Sequence, residues 1–125
     1  MRAVGEVVWV ATETALDIVT ALSGSGPAYC FLLAELMMEA AAGLGLERET
    51  ASRLAVGTLY GAGLLAHTSD GDLARLRAEV TSKGGTTEAA LRVFSAADLS
   101  GTVARAIEAA TRRGGELADQ FGAAE

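Results

Sequence analysis

Between Ala28 and Leu44 the only charged residues are Glu35 and Glu39, one helical turn apart. The pattern predicts a helix over about Ala28–Ala42, and a helix apolar on nearly every side is buried on nearly every side. In a chain of this size that means a bundle with a central helix, or a dimer that wraps it. Amphipathic stretches flank it. Thr12 to Leu22 reads as a short helix with Leu16 and Val19 on one side, and Arg48 to His67 as a longer one carrying Leu54, Leu59, Leu64 and Leu65. Asp72 to Val80 places Leu73, Leu76 and Val80 on one face, and Thr87 to about Ala97 buries Leu91 and Phe94. A last helix is capped by Ser100. There Val103, Ile107, Ala110, Gly114, Leu117 and Phe121 alternate at spacings of four and three, a helix–helix seam that Gly114-Gly115 weakens. Val7-Val8-Trp9-Val10 has strand character, with no second strand to pair with.

Glycines and prolines punctuate these elements. Ser23-Gly24-Ser25-Gly26-Pro27 reads as a turn, with Pro27 suited to the first position of a helix. Gly57 and Gly61 sit one turn apart within a helix. Glycine there costs roughly 1 kcal/mol against alanine, so close approach by another helix is the plausible compensation. The most informative stretch is Val80-Thr81-Ser82-Lys83-Gly84-Gly85-Thr86-Thr87-Glu88. Two glycines, a hydroxyl cap at Thr86 or Thr87 and an acid in the first turn describe a helix start. The free N–H groups of such a start, flanked by hydroxyls, form a cradle for an anion. An ordinary capped helix that binds nothing fits the same residues.

The chain has 125 residues, so one domain is expected, and half of it is hydrophobic, enough for a core. Only six residues are aromatic, and small side chains abound, which points to an all-α protein of closely packed helices. A net charge of −6 argues against a nucleic-acid partner. The basic pair Arg112-Arg113 is expected near a helix C-terminus. Cys30 is the single cysteine, which excludes an internal disulfide and a cysteine zinc site, and no metal site is expected. Lying in an apolar run, Cys30 is expected to be a buried, inert thiol in a reducing, cytoplasmic setting. His67, near a helix end, reads as a dipole partner rather than a catalyst. The apolar run from Ala28 to Leu44 is short of a membrane span, and no signal peptide is evident.

Two motifs, Ser23-Gly24-Ser25-Gly26-Pro27-Ala28-Tyr29 and Val80-Thr81-Ser82-Lys83-Gly84-Gly85-Thr86-Thr87, occur in an order and separation that resemble the C-terminal dimerisation domain of pyrroline-5-carboxylate reductase. Leu44-Gly45-Leu46, the Gly61-Ala62 region and the Ala-Arg-rich final helix extend the likeness from about Gly5 to Leu117. The resemblance implies a helical bundle forming an interlocked homodimer, with any assembly above the dimer left open. It implies that residues 1–125 are a single dimerisation and substrate-binding domain. Residues 1–11 would then be the remnant of a strand from a Rossmann domain that precedes this region in the family. NAD(P)H would be bound mainly by that domain, and the chain alone, holding no cofactor, would be inactive. By position, Ser82, Gly84, Gly85, Thr86 and Thr87 would hold the carboxylate of a small cyclic imino acid, with the Thr87 hydroxyl near the ring nitrogen as the catalytic group. Ser23, Gly24, Ser25, Gly26 and Pro27 would line the same cleft, or simply make a tight entry into the buried helix.

One position departs from the family pattern: Lys83 stands where proline is usual. Proline would stiffen the loop, and its loss favours a rival reading as a non-catalytic helical oligomerisation module. A related reductase acting on another cyclic imine is the third reading, since a carboxylate cradle does not read ring size.

Overall fold

The computed structural model describes residues 8–122. Among these, regular structure is entirely helical: α1 (Glu13–Val19), a π-helical turn (Thr20–Gly24), α2 (Gly26–Gly43), α3 (Arg48–Thr68), α4 (Leu73–Glu79), α5 (Thr86–Ala96) and α6 (Leu99–Gly122). The chain divides into two compact units. One contains α1, the π turn and most of α6; the other is Ala28–Ser100. The strand expected at the N-terminus is not formed over Val8–Val10, and Val7 lies outside the described residues. A strand needs a partner for its N–H and C=O groups, and Trp9 is 89% exposed.

In the first unit, the Thr12 hydroxyl caps α1 by accepting from the Ala15 N–H at 3.1 Å. The turn expected over Ser23–Pro27 is instead largely helical. The Ser25 N–H reaches the Thr20 carbonyl at 2.9 Å, a five-residue closure characteristic of a π turn. Hydroxyls of Thr20 and Ser23 donate back to the carbonyls of Leu16 and Val19, which keeps the turn wound. Helix α6 begins at Leu99, one residue before the expected cap at Ser100, after Asp98 takes a left-handed conformation at φ 51°. Gly114 and Gly115 do not interrupt it. A Cβ on Gly114 would lie 3.2 Å from Asp17 Oδ1, so the missing side chain admits the carboxylate of α1. Arg112 and Arg113 fall well inside α6 rather than at its end, and Arg113 pairs with Glu116 at 2.8 Å.

In the second unit, α2 and α3 form a hairpin closed at both sides of its loop. The Leu46 N–H donates to the Ala41 carbonyl at 3.1 Å and the Gly45 N–H to that of Ala42 at 3.0 Å, with Gly45 at φ +102°. This is a Schellman ending, and it requires the left-handed residue that glycine supplies. Glu47 then caps α3, accepting from the N–H groups of Glu49 and Thr50 at 2.8 and 2.7 Å. Those two N–H donors hold its carboxyl below the usual value. Arg48 forks onto Glu39, lowering that carboxyl in turn.

The hairpin packs through small residues. Ala51 and Ala55, one turn apart on α3, are 2% and 7% exposed. Shallow apolar grooves flank this seam, one lined by Phe31, Ala34, Met38, Val56 and Leu59, the other by Met37, Ala41, Leu46 and Leu54. No residue of α2 is buried within the chain; Phe31 is 64% exposed and Leu36 57%. Cys30, expected to be buried, is therefore exposed. Nothing lies within 4 Å of where a Cβ on Gly57 or Gly61 would sit, so that close-approach face of α3 is open. Because the Ser23–Pro27 segment is wound rather than turned, Glu13–Gly43 is long and apolar enough to cross a membrane by length and composition, a test that core helices of soluble proteins also pass.

Glu47 and Glu39 both have lowered carboxyl values, so their contribution is present above the ordinary value of 4.5 and is lost as the pH falls through the lowered folded values. Glu47→Gln should melt below the parent near neutral pH, and the gap should close well below pH 4.5. A gap of equal size in acid, followed by circular dichroism, would show that the cap is not the cause.

Candidate functional site

The loop between α4 and α5 is built by three local devices. The first ends α4. The Thr81 N–H donates to the Ala78 carbonyl at 3.0 Å and its hydroxyl to that of Arg77 at 2.6 Å. The Thr81 hydroxyl proton thus serves the helix end. Upstream, Asp72 caps α4 by accepting from the Arg75 N–H, and the Arg75 guanidinium holds the Asp70 carboxyl below its usual value.

The second device is a β-turn. The Gly85 N–H donates to the Ser82 carbonyl at 3.0 Å, Gly84 has φ +73°, and Lys83 is not among the positive-φ residues. A positive φ at the third residue only is the mark of a type II turn, with Lys83 second and Gly84 third. Glycine at the third place is required by that angle, and the second place is the one proline favours. Gly85 has its own constraint: an added Cβ would come within 2.5 Å of Ser82 Oγ and 3.1 Å of the Ser82 carbonyl oxygen.

The third device is the start of α5. Its N-cap is Gly85, in extended conformation, with no side-chain cap. The hydroxyl cap expected at Thr86 or Thr87 is not used, because the glycine turn brings the chain into helical register one residue earlier. Both threonines are the first two helical residues instead. Their N–H groups and that of Glu88 open the helix without an intrahelical acceptor. Glu88 reaches back, and its Oε2 accepts from the Gly84 N–H at 2.7 Å. Arg92 stands 3.9 Å from the same carboxylate.

Ser82, Gly84, Gly85, Thr86 and Thr87 are thus brought into one turn and helix start, with Thr87 half-buried and Ser82 and Thr86 exposed. The amides of Gly84 and Gly85 are engaged within the loop, which leaves those of Thr86, Thr87 and Glu88 at the helix end. Such an arrangement can accept a small carboxylate by backbone donation and dipole. Ser23–Pro27 belongs to the first unit: Ser23 and Gly24 lie in the π turn, Ser25 follows it, and Gly26 and Pro27 open α2. His67 lies in the last turn of α3, at the negative end of the helix dipole. Among the described residues no His, Cys, Asp and Glu group could hold a metal ion. Glu88 was legible only as an acid in the first turn. It stands three residues after the N-cap, where a capping-box acid would take the N-cap N–H; here the Gly85 N–H goes to Ser82, and Glu88 takes the Gly84 N–H instead.

An all-helical chain with an apolar hairpin open on its outer faces and a glycine turn at a helix start has the build of an oligomerisation domain. A family description for pyrroline-5-carboxylate reductase dimerisation matches residues 13–117. The chain belongs to that family. It is 49% identical over 122 residues to the pyrroline-5-carboxylate reductase of Pseudomonas aeruginosa, an alignment covering 98% of this chain and 45% of that protein. A solved pyrroline-5-carboxylate reductase from Coxiella burnetii superposes with a TM-score of 0.88 at 46% identity, covering 93% of this chain and 43% of that one. A Plasmodium falciparum pyrroline carboxylate reductase, solved with NADP bound, gives a TM-score of 0.77 at 34% identity over 83% of this chain and 40% of that one. The chain thus spans less than half the length of these relatives.

The type II turn makes Lys83→Pro a compatible substitution, since no hydrogen bond of the turn uses the Lys83 N–H. It should raise stability by about 0.4–1 kcal/mol, chiefly by restricting the unfolded chain. Chemical denaturation of the two proteins tests this, and a loss of stability would contradict the turn assignment.

Proposed function

We propose that this chain is the dimerisation and substrate-carboxylate-binding part of an NAD(P)H-dependent pyrroline-5-carboxylate reductase, the enzyme that forms L-proline from a cyclic imino acid. The observation that carries this reading is the uncapped start of α5 on a type II glycine turn, within a chain of that family. The substrate carboxylate is held by the N–H groups of Thr86 and Thr87 and by the hydroxyls of Ser82 and Thr86. The Gly84 and Gly85 backbone shapes the seat, and the Thr87 hydroxyl stands at the ring nitrogen as the catalytic group. The reaction adds a hydride to the imine carbon and a proton to its nitrogen, and a reduced nicotinamide supplies the hydride. Among the described residues no strand leads into a glycine-rich helix start of the dinucleotide-binding kind. We assign cofactor binding to the part of the relatives that this chain does not match, and expect the chain alone to be inactive. Its own work is positioning.

The chain acts as a homodimer in which a second copy covers α2 and the open faces of the α2–α3 hairpin. Aromatic and aliphatic side chains concentrated there suit an obligate interface. The same burial accounts for the apolarity of Glu13–Gly43 without a membrane. A cytoplasmic setting suits the unpaired thiol of Cys30. Ser23–Pro27 is assigned to the cleft of the assembled enzyme.

The test is a chimera in which this chain replaces the matching segment of the Pseudomonas aeruginosa reductase. It should reduce pyrroline-5-carboxylate with NADPH, and Thr87→Ala should lower kcat/KM by about a hundredfold. A folded, cofactor-binding chimera with no activity, or one indifferent to Thr87→Ala, would favour a purely structural module.

A further inference from the structure

We propose that Glu88 is the positioning residue of the carboxylate loop; the inference rests on the substrate reading above. Both glycine amides of the turn are spent inside it: the Gly85 N–H on the Ser82 carbonyl at 3.0 Å and the Gly84 N–H on Glu88 Oε2 at 2.7 Å. Glycine has the widest backbone freedom of any residue, and two stand here in sequence behind a lysine that imposes no restraint on φ. A turn of that composition needs a tie from outside. The Glu88 bond is short and charge-assisted, hence among the stronger kinds, and it anchors the turn to the first turn of α5. It also decides which amides face a ligand. With Gly84 and Gly85 occupied, the donors left at the helix end are those of Thr86, Thr87 and Glu88 itself.

Glu88 brings a cost, because its negative charge sits at the same helix end that would receive a substrate carboxylate. Arg92, one turn further on at 3.9 Å, offsets part of that charge. The two roles of the side chain can therefore be separated by substitution. Gln at this position keeps an acceptor for the Gly84 N–H and removes the charge. Asp keeps the charge but is one methylene too short to reach. Ala removes both.

The experiment is steady-state kinetics of Glu88→Gln, Glu88→Asp and Glu88→Ala in the chimera, with Thr87→Ala as the control and melting temperature as the check on folding. Positioning predicts that Ala and Asp raise KM for pyrroline-5-carboxylate about tenfold, the scale of one charged hydrogen bond. The KM for NADPH and kcat should hold, and Gln should keep KM at or below the parent value. A merely structural role would move all parameters and the melting temperature together, and that result overturns the proposal. If Ala and Asp leave KM unchanged or lower it while Thr87→Ala still disables the enzyme, the proposal also fails, with a lowered KM showing the Gly84 N–H to be a substrate donor that Glu88 obstructs. If Thr87→Ala and every Glu88 variant match the parent, the substrate reading itself falls. Should Glu88→Ala not fold, Glu88→Asp against Glu88→Gln decides the matter alone.

Discussion

Helix α2 is apolar apart from Glu35 and Glu39, and among the described residues none of its side chains is buried. Every other feature of the hairpin follows from that constraint. Burial of a leucine or phenylalanine side chain is worth roughly 1.5–3 kcal/mol, and Phe31, Leu32, Leu33 and Leu36 all stand about half exposed or more. The seam that does close within the chain uses the smallest side chains, Ala51 and Ala55. Small residues bring two helices close while spending little apolar surface. The larger side chains are left at the outer faces, beside grooves and a glycine face on α3 that is open at Gly57 and Gly61. Such a surface is stable in water only when another surface meets it.

The glycine loop obeys a different logic. Its shape is set by backbone hydrogen bonds and by two positions where a side chain is not tolerated. Gly84 needs a positive φ, and Gly85 lies against Ser82. The result is a helix start whose first amides are not consumed by a capping side chain. Capping normally satisfies those donors, so a glycine N-cap costs helix stability and keeps them available. The Glu88 bond to the Gly84 N–H and the helix start without a side-chain cap are two consequences of the same local sequence.

Most helices were legible because periodicity reports burial against neighbours. The bounds of α3 and α4 fall within a residue or so of the pattern, whereas the strand read over Val7–Val10 is not formed over Val8–Val10. What periodicity could not report was local hydrogen bonding. Ser23-Gly24-Ser25 has turn composition, yet hydroxyl donation from Thr20 and Ser23 and the Ser25 N–H closure keep it wound. Gly114-Gly115 read as a weak point in a seam, but it is the place where Asp17 enters, a contact between residues far apart in sequence. Cys30 was misjudged for a related reason: apolar neighbours predict burial, and a single chain does not supply it. In the loop, the five candidate residues could be named from the family pattern. The type II turn, the glycine N-cap and the grip of Glu88 required coordinates.

The central claim is that a second copy of this chain completes the α2–α3 hairpin. The most direct measurement is the mass of the folded chain in solution by analytical ultracentrifugation, across a range of concentration. The account predicts a stable particle of two chains, twice 12.7 kDa, that persists on dilution. A well-folded, cooperatively melting single chain of 12.7 kDa would contradict it, since α2 would then be stable in water with its apolar faces uncovered.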